Sequence, residues 1–358
     1  GDLAWAAADQ RARGFLLGAT AGRTTLNGEG LQHEDGHSHI LSSAIPNCIS
    51  YDPTYGYELA VIIHDGLRRM VEKQDNVYYY LTLLNENYAM PGLTPGTEEQ
   101  IIKGMYLCKP GPKAKAKGKD LRVQLMGSGT ILREAIAAQT LLATDWGIAS
   151  DVWSCPSFNE LARDGQNAER HNLLNPTAEP MVPFVARQLA GHEGPVVAST
   201  DYMKNYAEQI RPYIPRDRVF KVLGTDGFGR SDFRSKLREH FEINRHYIVI
   251  AALKSLADEG ALPAAKVAEA IKKYGIKVNW IRNDSTDIIQ RVQAEFRAGQ
   301  IQADIYDGIS GAALFKRDGM VQKWLPDAAK IMPKDYVDQD GYWIAASPYI
   351  HSFSYNTD

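Results

Sequence analysis

The chain has 358 residues and a mass of 39.8 kDa, which is enough for two or three domains. Hydrophobic residues make up 44% of it and charged residues 23%, a composition that excludes a disordered or fibrous protein. Its net charge is -3, and no apolar run approaches the roughly 20 residues that span a bilayer, so we expect neither a nucleic-acid nor a membrane partner.

The three cysteines, Cys48, Cys108 and Cys155, are scattered and odd in number. This pattern argues against a disulfide framework and is typical of a reducing compartment. No positively charged apolar leader is visible, so we predict a cytoplasmic location.

The first feature along the chain is a polar run over residues 28–40, which holds three of the nine histidines: His33, His37 and His39. Two carboxylates and one glycine lie between them. Histidine titrates near neutrality and can donate or accept a proton, so the run predicts acid–base chemistry. A zinc site on the three imidazoles is the alternative, although the His-x3-His-x-His spacing matches no common helical zinc motif.

The rest of the first region predicts a helix over residues 55–71 and a buried strand over residues 77–84. Residues 109–120 follow, with five lysines and two prolines and no apolar side chain larger than alanine. This composition predicts a solvated linker between domains. A docking site for an acidic partner is the alternative.

Residues 121–276 alternate strand and helix signals, which predicts a mainly parallel sheet with helices on its faces. The predicted strands cover residues 121–126, 151–154, 195–198 and 218–223. The predicted helices cover residues 131–144, 202–210, 233–241, 247–258 and 263–274. Asp201 and Ser231 lie where N-caps are expected, and Gly260 lies just past a helix end.

Two glycine-rich turns follow strands in this region. Residues 127–130, Gly-Ser-Gly-Thr, lead into a helix as phosphate loops do, but they lack the Walker lysine and the third glycine of a dinucleotide fingerprint. We interpret them as a tight strand-to-helix turn. Residues 224–229 are interpreted as a structural loop near a domain or subunit interface.

Six segments of the chain resemble one known family in register. They are residues 24–39, 45–53, 84–88, 160–165, 198–203 and 223–232. The family is the homodimeric, bacterial-type decarboxylating component of the pyruvate dehydrogenase complex, and the likeness extends over residues 1–276. It implies an α/β, transketolase-like fold with a mainly parallel sheet flanked by helices. Residues 1–108 then correspond to the end of the pyrimidine-binding domain and residues 121–276 to a transketolase carboxy-terminal-like domain.

The resemblance also implies a function. The family decarboxylates pyruvate oxidatively and transfers the acetyl group to lipoyl groups on the dihydrolipoamide acetyltransferase core. His33 is the best match to an active-site histidine and is expected to donate a proton or hydrogen bond to the substrate, with Glu34 and Asp35 close enough in sequence to orient it. A merely structural polar loop is the alternative.

The family uses thiamine diphosphate and Mg²⁺. The Gly-Asp-Gly…Asn pattern that holds the diphosphate through Mg²⁺ is not found here with a plausible spacing. By the same resemblance, the cofactor-binding residues, including the glutamate that protonates the aminopyrimidine ring, are expected upstream of Gly1. We therefore assign no cofactor-binding or metal-binding residue, and we expect this chain by itself to bind neither group tightly and to be inactive in isolation.

Residues 277–358 have a different character and resemble the amino-terminal lobe of iron-type solute-binding proteins of ABC importers. The likeness rests on residues 278–286, 291–299, 303–306, 341–344 and 349–357. It implies a partial α/β lobe of a periplasmic-binding protein and, as an alternative function, binding of iron or a small anion. We interpret the chain as chimeric, with a seam near residue 276.

Overall fold

The computed structural model describes residues 1–19, 21–112, 121–275, 285–299, 311–323 and 332–343. Two compact units divide the chain, residues 1–276 and residues 277–358. Most of the predicted lysine-rich linker, residues 113–120, lies outside the described part. Among the helices that are described, none has both the length and the apolar character needed to cross a membrane.

A three-stranded parallel sheet forms the first half of the larger unit, in the order β1-β3-β2. Its strands are β1 (Phe15–Ala19), β2 (Cys48–Tyr51) and β3 (Tyr78–Leu83). The central strand β3 lies within the predicted strand 77–84, and its tyrosines and Thr82 have high β-propensity. Tyr51, Tyr79 and Leu81 are buried in the apolar cluster beside this sheet.

The second half contains a five-stranded sheet in the order β4-β6-β5-β7-β8. Its strands are β4 (Tyr106–Lys109), β5 (Arg122–Gly127), β6 (Ala149–Ser154), β7 (Val196–Ser199) and β8 (Phe220–Leu223). β4 runs antiparallel to its neighbour, whereas the other neighbours pair in parallel. Leu125 and Val197 belong to one apolar cluster, and Met126 and Ala198 belong to another. The sheet is therefore buried on both faces, as expected of mainly parallel strands.

Helices cover both faces of the second sheet. Those of the larger unit are α1 (Asp2–Asp9), α2 (Ser38–Ser43), α3 (Gly56–Leu67), α4 (Glu98–Ile102), α5 (Leu132–Trp146), α6 (Phe158–Leu174), α7 (Phe184–Leu189), α8 (Asn205–Glu208), α9 (Arg234–His240), α10 (Arg245–Asp258) and α11 (Ala264–Lys273). α5, α10 and α11 share one apolar cluster with the sheet, and α6, α7 and α8 share the other. The predicted mainly parallel sheet flanked by helices is confirmed.

Three local predictions are wrong. α8 is shorter than the predicted helix 202–210, because a separate 3-10 turn with a proline follows it. Asp201 does not cap a helix; its buried carboxylate accepts hydrogen bonds from the backbone and hydroxyl of Thr24. The N-cap position of α9 is held by Phe233, two residues after Ser231.

β4 lies at the predicted boundary between the first domain and the linker, near residue 108. The strand pairs with β6, so residues 106–109 belong to the second sheet. The backbone N–H of Gly111 donates to Asp151 Oδ1 over 2.8 Å. The second sheet therefore includes residues that precede the predicted linker. The predicted domain boundaries themselves stay predictions.

The smaller unit is described at α12 (Ser285–Arg297), α13 (Ala312–Arg317) and a 3-10 turn at Lys334–Tyr336. Phe315 is buried, and the Lys316 ammonium binds Asp338 and Asp340. Residues 303–306 and 349–357, which carry much of the resemblance to solute-binding proteins, lie outside the described residues.

Candidate functional site

A pocket of about 410 Å³ opens at the carboxyl end of β1. It is lined by Gly18, Ala19, Ala21, Leu26, Glu29, Gln32, His33, Asp35 and Tyr80. His33 ends a short 3-10 turn, Leu31–His33, and its side chain is exposed. The structure therefore places the sequence-predicted histidine on an open, polar pocket and not in the core.

The two carboxylates beside His33 bind other groups. Asp35 Oδ1 accepts the backbone N–H groups of His37 and Ser38, both at 3.0 Å, so it holds the start of α2. Glu34 Oε2 accepts the backbone N–H of Arg230 from the second half of the unit. The expectation that Glu34 or Asp35 orients His33 stays a prediction. Within the described residues, no hydrogen bond to the His33 ring is found.

Tyr80 forms a wall of the pocket that sequence reasoning missed. Its hydroxyl donates to Ser38 Oγ over 2.8 Å, and Ser38 Oγ in turn donates to Asp35. A Cβ on Gly18 would lie 2.5 Å from the Tyr80 hydroxyl oxygen, so a larger residue there would require the Tyr80 ring to move. Burial raises the pKa of Tyr80 to about 12, which keeps the phenol protonated.

The start of the chain lies apart from this pocket lining. Gly1 is exposed and holds the N-cap position of α1, where its carbonyl accepts the backbone N–H of Trp5 over 3.0 Å. Gly1 is not among the residues that line the described pocket, and its structural role is to begin α1. The expectation that the cofactor-binding residues lie upstream of Gly1 stays a prediction.

The three histidines of the polar run do not converge. His37 lies on the surface beside Asp35, with 3.7 Å between Nδ1 and Oδ1. His39 is fully buried, stacks on Tyr206, and has Nε2 3.2 Å from Thr82 Oγ1. Burial lowers the pKa of His39 to about 3, so its ring is neutral. No group of three or more metal-ligating side chains is found among the described residues, and nothing there supports the zinc alternative.

A buried polar network joins the two sheets behind the pocket. Thr82 at the end of β3 donates to Asp52 Oδ1 over 2.8 Å, and Ser128 donates to Oδ2 over 2.9 Å. Ser128 also lies 3.0 Å from Thr200 Oγ1. Burial raises the pKa of Asp52 to about 7, against the opposing effect of these two hydroxyl donors. Asp52 is therefore a buried carboxyl group that holds its proton up to near neutral pH.

The same network explains the Gly-Ser-Gly-Thr turn. Gly129 has a φ of +47°, and a Cβ at this position would lie 2.5 Å from Asp52 Oδ2. The Gly129 N–H donates to the backbone oxygen of Asp52 over 3.1 Å. The carboxyl group and the backbone oxygen of Asp52 thus occupy the space next to this turn. The interpretation as a tight strand-to-helix turn agrees with this geometry.

A second interdomain contact involves Glu86, which lies in a segment of the family resemblance. Arg238 Nη2 lies 2.5 Å from Glu86 Oε2, and Arg133 Nη1 lies 2.7 Å from Oε1. Thr130 donates to the same carboxylate over 2.7 Å. Burial raises the pKa of Glu86, but the hydrogen bonds from these groups outweigh it and lower the pKa to about 2.

Two protein-family models match the chain. Residues 1–91 match the pyruvate dehydrogenase E1 component middle domain, and residues 104–244 match the transketolase-like C-terminal domain. The pyruvate dehydrogenase E1 component of Cupriavidus necator is 62% identical over 279 residues, and that of Escherichia coli K12 is 59% identical over 283 residues. The chain is related to the pyruvate dehydrogenase E1 component.

Each of these two alignments covers 78% of the chain but 31% of the relative, so the chain spans about a third of the length of the E1 components it matches. Solved transketolases share the fold. Transketolase from Leishmania mexicana matches with a TM-score of 0.50 at 17% identity, and the match covers 71% of this chain and 32% of the transketolase chain. Transketolase from Campylobacter jejuni has a TM-score of 0.50 at 16% identity, with 71% and 33% covered.

These likenesses confirm the transketolase-like fold class predicted from the sequence. None of them supports the likeness of residues 277–358 to a solute-binding protein, which stays a prediction.

Proposed function

We propose that this chain provides the middle and C-terminal domains of a pyruvate dehydrogenase E1 component. The activity is oxidative decarboxylation of pyruvate with transfer of the acetyl group to lipoyl groups. The observation that carries the proposal is an identity of about 60% that runs through both domains, including the segment with His33 on the pocket. Pairing as a homodimer, docking on a dihydrolipoamide acetyltransferase core and a cytoplasmic location belong to the same proposal.

His33 acts on the substrate side of the reaction. Negative charge develops on the keto oxygen of pyruvate as its carbonyl carbon is attacked, and an imidazole N–H is a suitable donor to that oxygen. The exposed ring faces the pocket and is not engaged by another side chain in the described part of the chain. Tyr80, held by Ser38, forms the opposing wall and restricts the position of a small substrate.

The pocket fits only part of the cofactor that this family uses. Thiamine diphosphate, when bound, supplies the nucleophilic carbon and the electron sink for decarboxylation. Glu29 and Asp35 suit a cationic ring, whereas no lysine or arginine lines the pocket to hold a diphosphate. The described residues also provide no cluster that could hold Mg²⁺. We therefore assign the pocket to pyruvate and the reacting end, and expect this chain alone to bind the cofactor and Mg²⁺ weakly.

A graft tests whether this region functions as part of an E1 component. Residues 1–244, which span both family models, replace the matching segment of the Cupriavidus necator E1 component. We expect thiamine-dependent oxidation of pyruvate within about tenfold of the parent enzyme, because the two sequences are 62% identical over 279 residues. The assay is reduction of an artificial electron acceptor at saturating cofactor and Mg²⁺.

The matched control is the parent enzyme carrying its own segment through the same junctions. A graft that unfolds at the same temperature as this control, yet shows no pyruvate-dependent reduction, contradicts the proposal.

A further inference from the structure

Arg23 is a buried arginine that joins the loop carrying His33 to the second half of the unit. It is only 4% exposed. Its Nη1 donates to the backbone oxygen of Thr225 over 2.7 Å and also to that of Gly227. A single guanidinium group thus holds two carbonyls of the glycine-rich loop 224–229, and the sequence-based interpretation of that loop as lying near a domain interface agrees with this contact.

The guanidinium also packs against Gly36, three residues after His33. A Cβ on Gly36 would collide with the Nε, Cζ and Nη2 atoms of Arg23. On its other side, the Gly36 carbonyl accepts the backbone N–H of Met203 over 2.8 Å. The chain after His33 is therefore fixed between Arg23 and the second domain.

The chain next to His33 is fixed by the same loop. Arg230 N–H donates to the Glu34 carboxylate. A Cβ on Gly229 would lie 2.7 Å from both the Glu34 Cβ and the Leu31 carbonyl oxygen, so the two backbones are in close contact there. Since the His33 ring has no hydrogen bond of its own in the described residues, the backbone on either side of it sets where the imidazole lies.

Burial of Arg23 is not explained by complete hydrogen bonding. Its Nε is buried without a hydrogen-bond partner among the described residues. Burial lowers the pKa of the Arg23 guanidinium, and the charges of four carboxylates, Asp35, Asp201, Glu34 and Asp226, act in the opposite direction. Removing this cation would leave these acids facing each other across the two loops.

We propose that Arg23 is a positioning residue for His33, and that it works by clamping the His33 loop onto residues 224–230 of the C-terminal domain. The proposal rests on the function proposed for His33. Arg23 does not line the described pocket, and it acts on the reaction only through the position of the His33 imidazole. The C-terminal domain thereby takes part in the pyruvate site, although its own side chains are absent from the described pocket lining.

A double-mutant cycle in the grafted enzyme tests this. We expect Arg23→Met to lower kcat about 30-fold when His33 is present, since a displacement on the order of 1 Å of a reacting group has effects of this size. In the His33→Asn background, the same substitution should lower kcat by less than about twofold, because the group that it positions is gone. Arg23→Lys, which keeps the charge, should recover part of kcat. Arg216→Met, at an exposed arginine, is the matched control.

The outcomes separate the two proposals. An equal loss from Arg23→Met in both backgrounds, or no loss in either, overturns the positioning role while leaving His33 in place. An unchanged kcat in His33→Asn overturns the function of His33 and the positioning role with it. If Arg23→Met does not fold, the double-mutant cycle is measured with Arg23→Lys instead. Its loss of kcat should likewise be larger when His33 is present than in the His33→Asn variant.

Discussion

Arg238→Met is expected to lower the free energy of unfolding of the larger unit by about 3–5 kcal/mol, the range for breaking a buried ion pair by removing one partner. Arg238 is 6% exposed and binds Glu86 from the first half, while its Nη1 lies 3.7 Å from Glu134 Oε1 of α5. The methionine would fill the space but leave the half-buried Glu86 carboxylate with fewer hydrogen-bond donors. This loss is larger than the roughly 0–1 kcal/mol that is typical of an exposed salt bridge.

Urea unfolding of the chain measures this effect. Arg170→Met is the control, since Arg170 is exposed on α6 and no ion pair of its side chain is found in the described residues. A loss for Arg238→Met below about 1 kcal/mol would show that the ion pair does not hold the two halves together.

The same variant has a pH signature. Because the pKa of Glu86 is lowered to about 2 in the fold, its ion pairs stabilise the protein above the unfolded pKa near 4.5. That contribution is lost as the pH falls from about 4.5 to about 2. The acid sensitivity attributable to Glu86 should shrink in Arg238→Met.

Asp52→Asn is expected to change how stability depends on pH. The pKa of Asp52 rises from 3.8 to about 7 on folding, so the folded state holds a proton that the unfolded state releases between these values. The native protein should therefore lose stability as the pH rises from about 4 to 7. Asparagine cannot ionise, so the variant should not lose this stability. Between pH 4 and 7 its free energy of unfolding should rise relative to that of the native protein by on the order of 4 kcal/mol, at 1.36 kcal/mol per pKa unit.

The difference between the two proteins isolates Asp52. His39 has a lowered pKa, so its titration makes stability increase with pH, whereas Asp201, with a pKa raised to about 6, makes it decrease. Both groups remain in the variant, so their effects cancel to first order in the difference between the two proteins. The measurement is urea unfolding at closely spaced pH values, with Asp217→Asn at an exposed position as control. A difference in unfolding free energy that stays constant from pH 4 to pH 8 would contradict a buried, protonated Asp52.

The sequence predicts four of the five strands of the second sheet, because each contains a short apolar run that ends at glycine or at a polar turn. β4 was not predicted. α6 was not identified, since its sequence is polar overall. Its buried side falls on Phe158, Leu161, Ala162, Gly165 and Ala168, a helical spacing that would have revealed it. The predicted helix 202–210 was longer than α8 because a separate 3-10 turn with a proline follows α8.

The candidate site was predictable only where its residues are close together in the sequence. The histidine run marks His33, and the structure places it on a pocket. Tyr80, Asp52 and Arg23 were missed, because the partners that give them a role lie about 30 to 200 residues away. Glu34 and Asp35 were expected to orient His33 because they lie next to it in sequence. The structure adds that the Asp35 carboxylate accepts the backbone N–H groups at the start of α2.

The most direct test of the account compares two neighbouring histidines in the grafted enzyme. His33→Asn should lower kcat for pyruvate about 100-fold, which matches the loss of one well-placed donor to a developing oxyanion. His37→Asn, four residues away and 60% exposed, should stay within about twofold of the unsubstituted graft. Equal kcat values for the two variants, with the fold of both intact, would contradict the assignment of the pyruvate site to the His33 pocket.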